Sequence, residues 1–285
     1  MNANFRRSLS VVTAIVVLGA ASSWAEDYRF MGESGGEFLD PANWAPTGTP
    51  AINDVAVLDE SVSAVLSGPV EISRLALGND AALTIAAEGV LSVGKNHLYV
   101  GISGFNGIQG VGTASLKLEE GGQLSVGKFY LAAYDPPGRS GSVAFEGGKI
   151  SVADRFWVGA NALNDGVTGE LTIRGSKLTW ETPTNSLNLG GGRGNAILNF
   201  VFDEEGISAI HAATVQLGNE NAVVNFDLSD LNVTDDMTVQ LITYSGELTG
   251  EFGDILIEGL PDGFDGAIEY GSGEDDAVSL SVKKR

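Results

Sequence analysis

The run "LSVGKFYLA", residues 124–132, decides the fold. It holds two short phrases, "LSV" and "FYL", set apart by Gly127 and Lys128. In an extended chain neighbouring side chains point to opposite faces, so Leu124 and Val126 share one face and Ser125 takes the other. By the same rule Phe129 and Leu131 share a face and Tyr130 points away from it. Each phrase reads as a short strand with one buried side.

Working outward, both phrases recur, and a third precedes them in fixed order. The first phrase reads "LTI" at 83, "LKL" at 116, "VAF" at 143 and "LTI" at 171. The second reads "LSV" at 91 and 124, "ISV" at 150 and "LTW" at 178. The third reads "LYVG" at 98, "FYLA" at 129, "FWVG" at 156 and "LNLG" at 187, with "LALG" at 75 before them and "VQLG" at 215 after. From 98 onward the third phrase advances by 31, 27, 31 and 28 residues. Those steps suit coils of three short strands joined by turns of variable length. One coil cannot bury its apolar face alone, whereas stacked coils can, each strand pairing with its equivalent about 4.8 Å along the axis. The expectation is an all-β chain, a right-handed parallel β-helix of about five coils with a C-terminal β cap. An antiparallel sandwich is the competing arrangement, but it does not call for an ordered triplet with matching character at matching places.

The chain divides accordingly. Residues 61–221 are read as coils. Residues 26–60, with the Gly35-Gly36 pair and Asn43-Trp44, are read as an N-terminal cap with Trp44 as its plug, because a solenoid end exposes apolar layers and strand edges. Residues 222–285 are read as a C-terminal β-strand cap. Residues 1–25 read as a signal peptide: Arg6 and Arg7 precede the apolar "SLSVVTAIVVLGAASS", and Ser23 and Ala25 flank Trp24 as a small-x-small cleavage site. No later segment has the ~20 apolar residues of a spanning helix, so the mature chain is expected to be secreted, extracellular or on the cell surface, with outer envelope or periplasm as the alternatives. The balance of 16 Lys+Arg against 37 Asp+Glu, a formal charge of -21, repels phosphate backbones and argues against nucleic acid as a partner. The absence of cysteine removes thiol catalysis, thiolate metal sites and disulfides together.

The segments "GGEFLDPANWAPTGTPAINDVAVL" (35–58), "LITYSGELTGEFGDI" (241–255), "IEYG" (268–271) and "VSLSV" (278–282), with the "LSVG" and "LYVG" coils, resemble secreted bacterial β-strand repeat proteins of the autotransporter-passenger-like type. The resemblance spans nearly all of the mature chain. It implies a parallel β-helix at the cell surface or released from it, serving adhesion, envelope structure or polysaccharide contact. The chain departs from that family's sorting-signal members at "SLSVKKR", which carries neither a Pro-Glu-Pro tail nor a sortase-type motif.

Stacked coils would align the outward residues of the third phrase into one column: Tyr99, Tyr130, Trp157, Asn188 and Gln216. Aromatic faces edged by amides suit sugar rings, so these five are the candidate binding residues. The same column would also serve as a wall covered by the loops that follow each third phrase. The outward residues of the second phrase, Ser92, Ser125, Ser151 and Thr179, read as a solvated face. A non-enzymatic envelope or adhesion module is the first reading of function. A polysaccharide lyase or glycoside hydrolase on the same fold, or a pure glycan-binding module, is the alternative. The carboxylates and bases for an enzyme would come from Asp154 with Arg155, Asp135 with Arg139, and Asp165, none of which repeats from coil to coil as a set. His97 and His211 form no motif. No cofactor is expected. Calcium is chemically compatible with "GGGRGNAIL" (190–198), "LSDLNVTDD" (228–236) and "GSGEDD" (271–276), though none has a fixed ligand spacing.

Overall fold

The computed structural model describes residues 25–103, 106–108, 112–133, 140–160, 166–271 and 276–285. It is an all-β parallel solenoid. The described residues contain a single 3-10 turn, Pro41–Asn43, and no helix long and apolar enough to cross a membrane.

Pairing between coils is parallel and keeps the phrases in register. Leu116 of the first phrase pairs with Leu83 on one side and Val143 on the other, and Val143 pairs with Leu171. Leu124 of the second phrase pairs with Leu91 and Ile150, and Phe129 of the third with Leu98 and Phe156. First-phrase strands form a nine-stranded sheet, and second and third phrases together form the other. In Val90–Val100, Gln123–Leu131 and Gly148–Val158 the second and third phrases run on as one strand with an irregular corner between them. Gly127 fills that corner alone, whereas its neighbours place Gly94 to Asn96 and Ala153 to Asp154 there. A Cβ on Gly127 would sit 2.7 Å from the backbone of Lys95, so the tightest corner has no room for a side chain.

The stack has about eight turns rather than five. Parallel pairing also takes in Asp27–Phe30 with Val55–Leu58 at one end. At the other it takes in Asn219–Asp227 and Phe252–Glu258. Val55–Leu58 shows no alternation because both of its faces are covered: Ala56 and Leu58 point into the main core, and Val55 and Val57 join a second cluster with Ala76, Ile102 and Ile108. Antiparallel strands close the ends. Asp27–Phe30 pairs with Trp44–Ala45, and Ala277–Lys284 lies between Met237–Tyr244 and Phe264–Tyr270. Trp44 is buried among Tyr28, Phe30 and Phe38, its rings edge-on to theirs, and its indole N–H donates to the Phe38 carbonyl at 2.7 Å.

The second-phrase column differs from expectation in its last coil. Ile150 pairs with Trp180, not Leu178, and Ser151 with Thr182, not Thr179, with Glu181 as the extra residue of a bulge. A slip of two residues preserves which side faces in. It brings the indole of Trp180 against Phe156, stacked at 6.0 Å, and lets the Ser151 and Thr182 hydroxyls share a 2.6 Å hydrogen bond.

Inward positions carry the stability. Leu124 lies in the continuous core, while Ser125 beside it is exposed. Leu124→Ala should lower the unfolding free energy of residues 26–285 by about 2 to 5 kcal/mol, and Ser125→Ala should leave it unchanged in urea denaturation. Equal losses from the two would contradict the register.

Candidate functional site

The third-phrase strands carry Tyr99, Tyr130, Trp157, Asn188 and Gln216 on their outer side, and the ladder places all five in one column: Tyr130 pairs with Tyr99 and Trp157, and Asn188 with Trp157 and Gln216. The rings contact one another along the axis. Tyr99 and Tyr130 stack at 5.4 Å, and Tyr130 meets Trp157 edge-on at 5.5 Å. The Asn188 amide donates to Gln216 Oε1 at 2.9 Å.

These five are not equally accessible. Tyr130 is 4% exposed and Asn188 6%, whereas Tyr99 and Trp157 are half-buried and Gln216 is open. Tyr99 packs against the outer cluster in which Ile102 and Ile108, from the loop after its strand, cover Val57 and Ala76. That loop is fastened across the coils by Arg29, which donates to the Asn106 carbonyl at 3.0 Å and to the buried Asp59 at 2.9 Å. The column is therefore a stacked wall for most of its height, with Trp157 as its last ring, half-buried between Tyr130 and Asn188.

Beside it runs a second row that the phrase-by-phrase reading missed. Lys128 pairs with His97 and Arg155. Arg74 directly precedes Leu75, the partner of Leu98, and so continues the row by one coil. Arg74, His97, Lys128 and Arg155 each stand one residue before a third phrase, in "RLALG", "HLYVG", "KFYLA" and "RFWVG". Ser186 and Thr214 hold the same place in the next two coils. The signal was present in the sequence, one position outside the boundaries drawn at the first apolar residue.

The two rows are joined by contact. The imidazole of His97 stacks on Tyr99 at 5.3 Å and lies 5.4 Å from Tyr130, and the guanidinium of Arg155 sits 5.1 Å over the ring of Trp157. Asp154, at the corner, lies 3.8 Å from both Lys128 and Arg155. Burial holds the His97 pKa below the ordinary imidazole value, with Lys128, Arg74 and Arg155 pushing the same way and Asp154 opposing them. Both effects favour the neutral form of His97, and among the described residues the row presents three cations, Arg74, Lys128 and Arg155, beside the Asp154 carboxylate.

The other candidates are placed as follows. Asp154 and Arg155 belong to this row, while Asp135, Arg139 and Asp165 lie outside the described residues. His211 is remote from His97 and shares a 2.5 Å contact between its Nδ1 and Thr243 Oγ1. Among the described residues no three His, Asp or Glu side chains gather as a metal site. On the first-phrase sheet a polar groove holds Glu170, Thr172, Asn199 and Asn225, whose amides are spent on one another: Asn225 donates to Asn199 Oδ1 at 2.8 Å, and Asn199 to Glu170 Oε1 at 2.7 Å. No protein-family model matches the chain, and no curated protein matches it.

The depressed His97 pKa has a consequence for stability. As pH falls through the ordinary imidazole value near 6.5, the unfolded chain takes up a proton that the folded one refuses, so stability drops until pH reaches the lowered folded value. His97→Phe keeps a stacked ring and removes the titration. Urea midpoints at pH 7.5, 6.5 and 5.5 should fall less for His97→Phe than for the wild type; parallel declines would show that His97 is not held neutral.

Proposed function

We propose that the protein is a secreted or cell-surface β-solenoid of the autotransporter-passenger-like type, non-enzymatic, serving envelope structure or adhesion by laying its outer wall along an extended polysaccharide. One observation carries this reading: the side chains outside the third phrase form rows parallel to the solenoid axis instead of converging on one point. Neighbouring positions in such a row repeat at about 4.8 Å, the coil spacing of a parallel ladder, and a linear array of equivalent positions matches a ligand that is itself linear and repeating. Trp157, half-open at the end of the aromatic column, supplies an apolar ring of the kind that sugar faces meet.

The leader-like residues 1–25 and the absence of cysteine support export into a setting where burial and backbone pairing hold the fold together. The continuous core supports a rigid scaffold role. The ladder fixes each row to the backbone of a strand, and rigid elements position binding groups better than loops do.

The test is affinity electrophoresis of residues 26–285 through gels that contain neutral and acidic polysaccharides, with product analysis on the same samples. Retardation by at least one polysaccharide, with no new reducing ends and no unsaturated products, is the expected result. Chain cleavage would replace this reading with an enzymatic one, and passage through every gel without retardation would remove polysaccharide contact from it.

A further inference from the structure

We propose that the row Arg74, Lys128 and Arg155, with His97 among them, is a track for an anionic glycan, one that bears carboxylate or sulfate groups on successive sugars. This rests on the reading of the outer wall as a polysaccharide-contacting surface and names the class of polysaccharide.

The first argument is placement. Four consecutive coils put a basic residue type at the same outward position, so the row spans roughly 15 Å at the spacing of a parallel ladder. Like charges directly opposite one another on neighbouring strands are destabilising. Lys128 opposite Arg155 is such a pair and runs against the stability of the isolated protein, and in a chain with more than twice as many acidic as basic residues the row is not a by-product of composition.

The second argument is how cations elsewhere are used. Lys117 has Glu146 at 2.8 Å and Glu119 at 3.3 Å, Lys177 has Glu120 at 3.0 Å, and Lys149 has Glu181 at 3.6 Å. On the track, among the described residues, Lys128 and Arg155 share one carboxylate, Asp154, at 3.8 Å from each. Their charge is left in excess, and their side chains remain 29% and 41% exposed. The pKa of His97 is lowered first by burial and then by Lys128, Arg74 and Arg155, which all face it.

The third argument is preorganisation. Arg155 is seated over Trp157, and His97 is seated against Tyr99 and Tyr130. A guanidinium held on an aromatic face keeps its donors outward and loses less conformational freedom when it meets a carboxylate or sulfate. Trp157 beside it offers the apolar contact that a sugar ring requires. The buried aromatic wall is thus a foundation for the charged row as well as the end of a sugar platform.

The experiment uses residues 26–285 and four probes in isothermal titration and affinity electrophoresis: polygalacturonate, chondroitin sulfate, neutral dextran and duplex DNA. Polygalacturonate or chondroitin sulfate should bind, and the double variant Lys128→Gln/Arg155→Gln should weaken that binding at least tenfold. Lys177→Gln, on a cation outside the track, should leave it within twofold. Lys128→Met, which keeps the aliphatic stem, repeats the test if the double variant loses its β circular dichroism. Dextran bound as tightly as the acidic glycans, or acidic binding unchanged in both track variants, would overturn the anionic track while leaving polysaccharide contact standing. Absence of binding to all three glycans would overturn both readings, and DNA bound more tightly than either acidic glycan would overturn the assignment to a glycan.

Discussion

Everything in this molecule depends on the hydrogen-bonded ladder between equivalent strands of successive coils. Because alternate residues of a strand face opposite sides, the ladder decides at once which side chains meet in the core and which line up outside. Leu98, Phe129, Phe156 and Leu187 form an inward column for the same reason that Tyr99, Tyr130, Trp157 and Asn188 form an outward one. A slip of one residue would exchange these columns and drive aromatic and amide side chains into the core, whereas a slip of two exchanges nothing. The bulge at Glu181 shows the permitted kind: Trp180 takes the place alongside Ile150, and inside and outside are preserved.

The ladder creates its own difficulty at each end, where strands run out of partners. The two ends solve it differently. At the N-terminal end Trp44 fills the opening, held by its indole hydrogen bond to Phe38 and by edge contacts with three rings. At the C-terminal end Ala277–Lys284 reverses direction and lies antiparallel between Met237–Tyr244 and Phe264–Tyr270, so the larger sheet finishes in antiparallel pairing with Phe264–Tyr270 at its edge. The last strand of the other sheet, Phe252–Glu258, is left with Ile255 and Leu256 exposed.

The sequence makes the middle of this fold legible and its ends obscure, for one physical reason. Alternation appears where a strand has core on one side and water on the other, and Leu124 to Val126 is such a strand. It vanishes where both sides are covered, as at Val55–Leu58, and it is weak where neither is well covered, as at Phe252–Glu258. The coil count was therefore underestimated at both ends. The aromatic column was legible because the third phrase repeats cleanly, and so was its covering by the loops after each phrase; which side chains are buried, and how deeply, was not, since residues such as Ile102 and Ile108 beside Tyr99 sit in a loop without periodicity. The basic row escaped because Arg74, His97, Lys128 and Arg155 differ in type and precede the first apolar residue of each phrase. Only register makes them neighbours.

An acidic protein that carries a short basic track is less paradoxical than its net charge implies. At physiological ionic strength the field of an exposed charge is screened over about 8 Å, so carboxylates farther than that from the track weaken its local field little. The acidic surface as a whole disfavours densely charged chains such as nucleic acids, which would meet repulsion wherever they overhang the track. On the proposed reading, a glycan with one charge per sugar, lying along the axis, would keep its charges over Arg74, Lys128 and Arg155 and its uncharged faces toward Trp157. On that proposal the acidity would work as discrimination against the wrong polyanion rather than as an obstacle to the right one, since specificity is a difference between affinities that repulsion can enlarge as well as attraction.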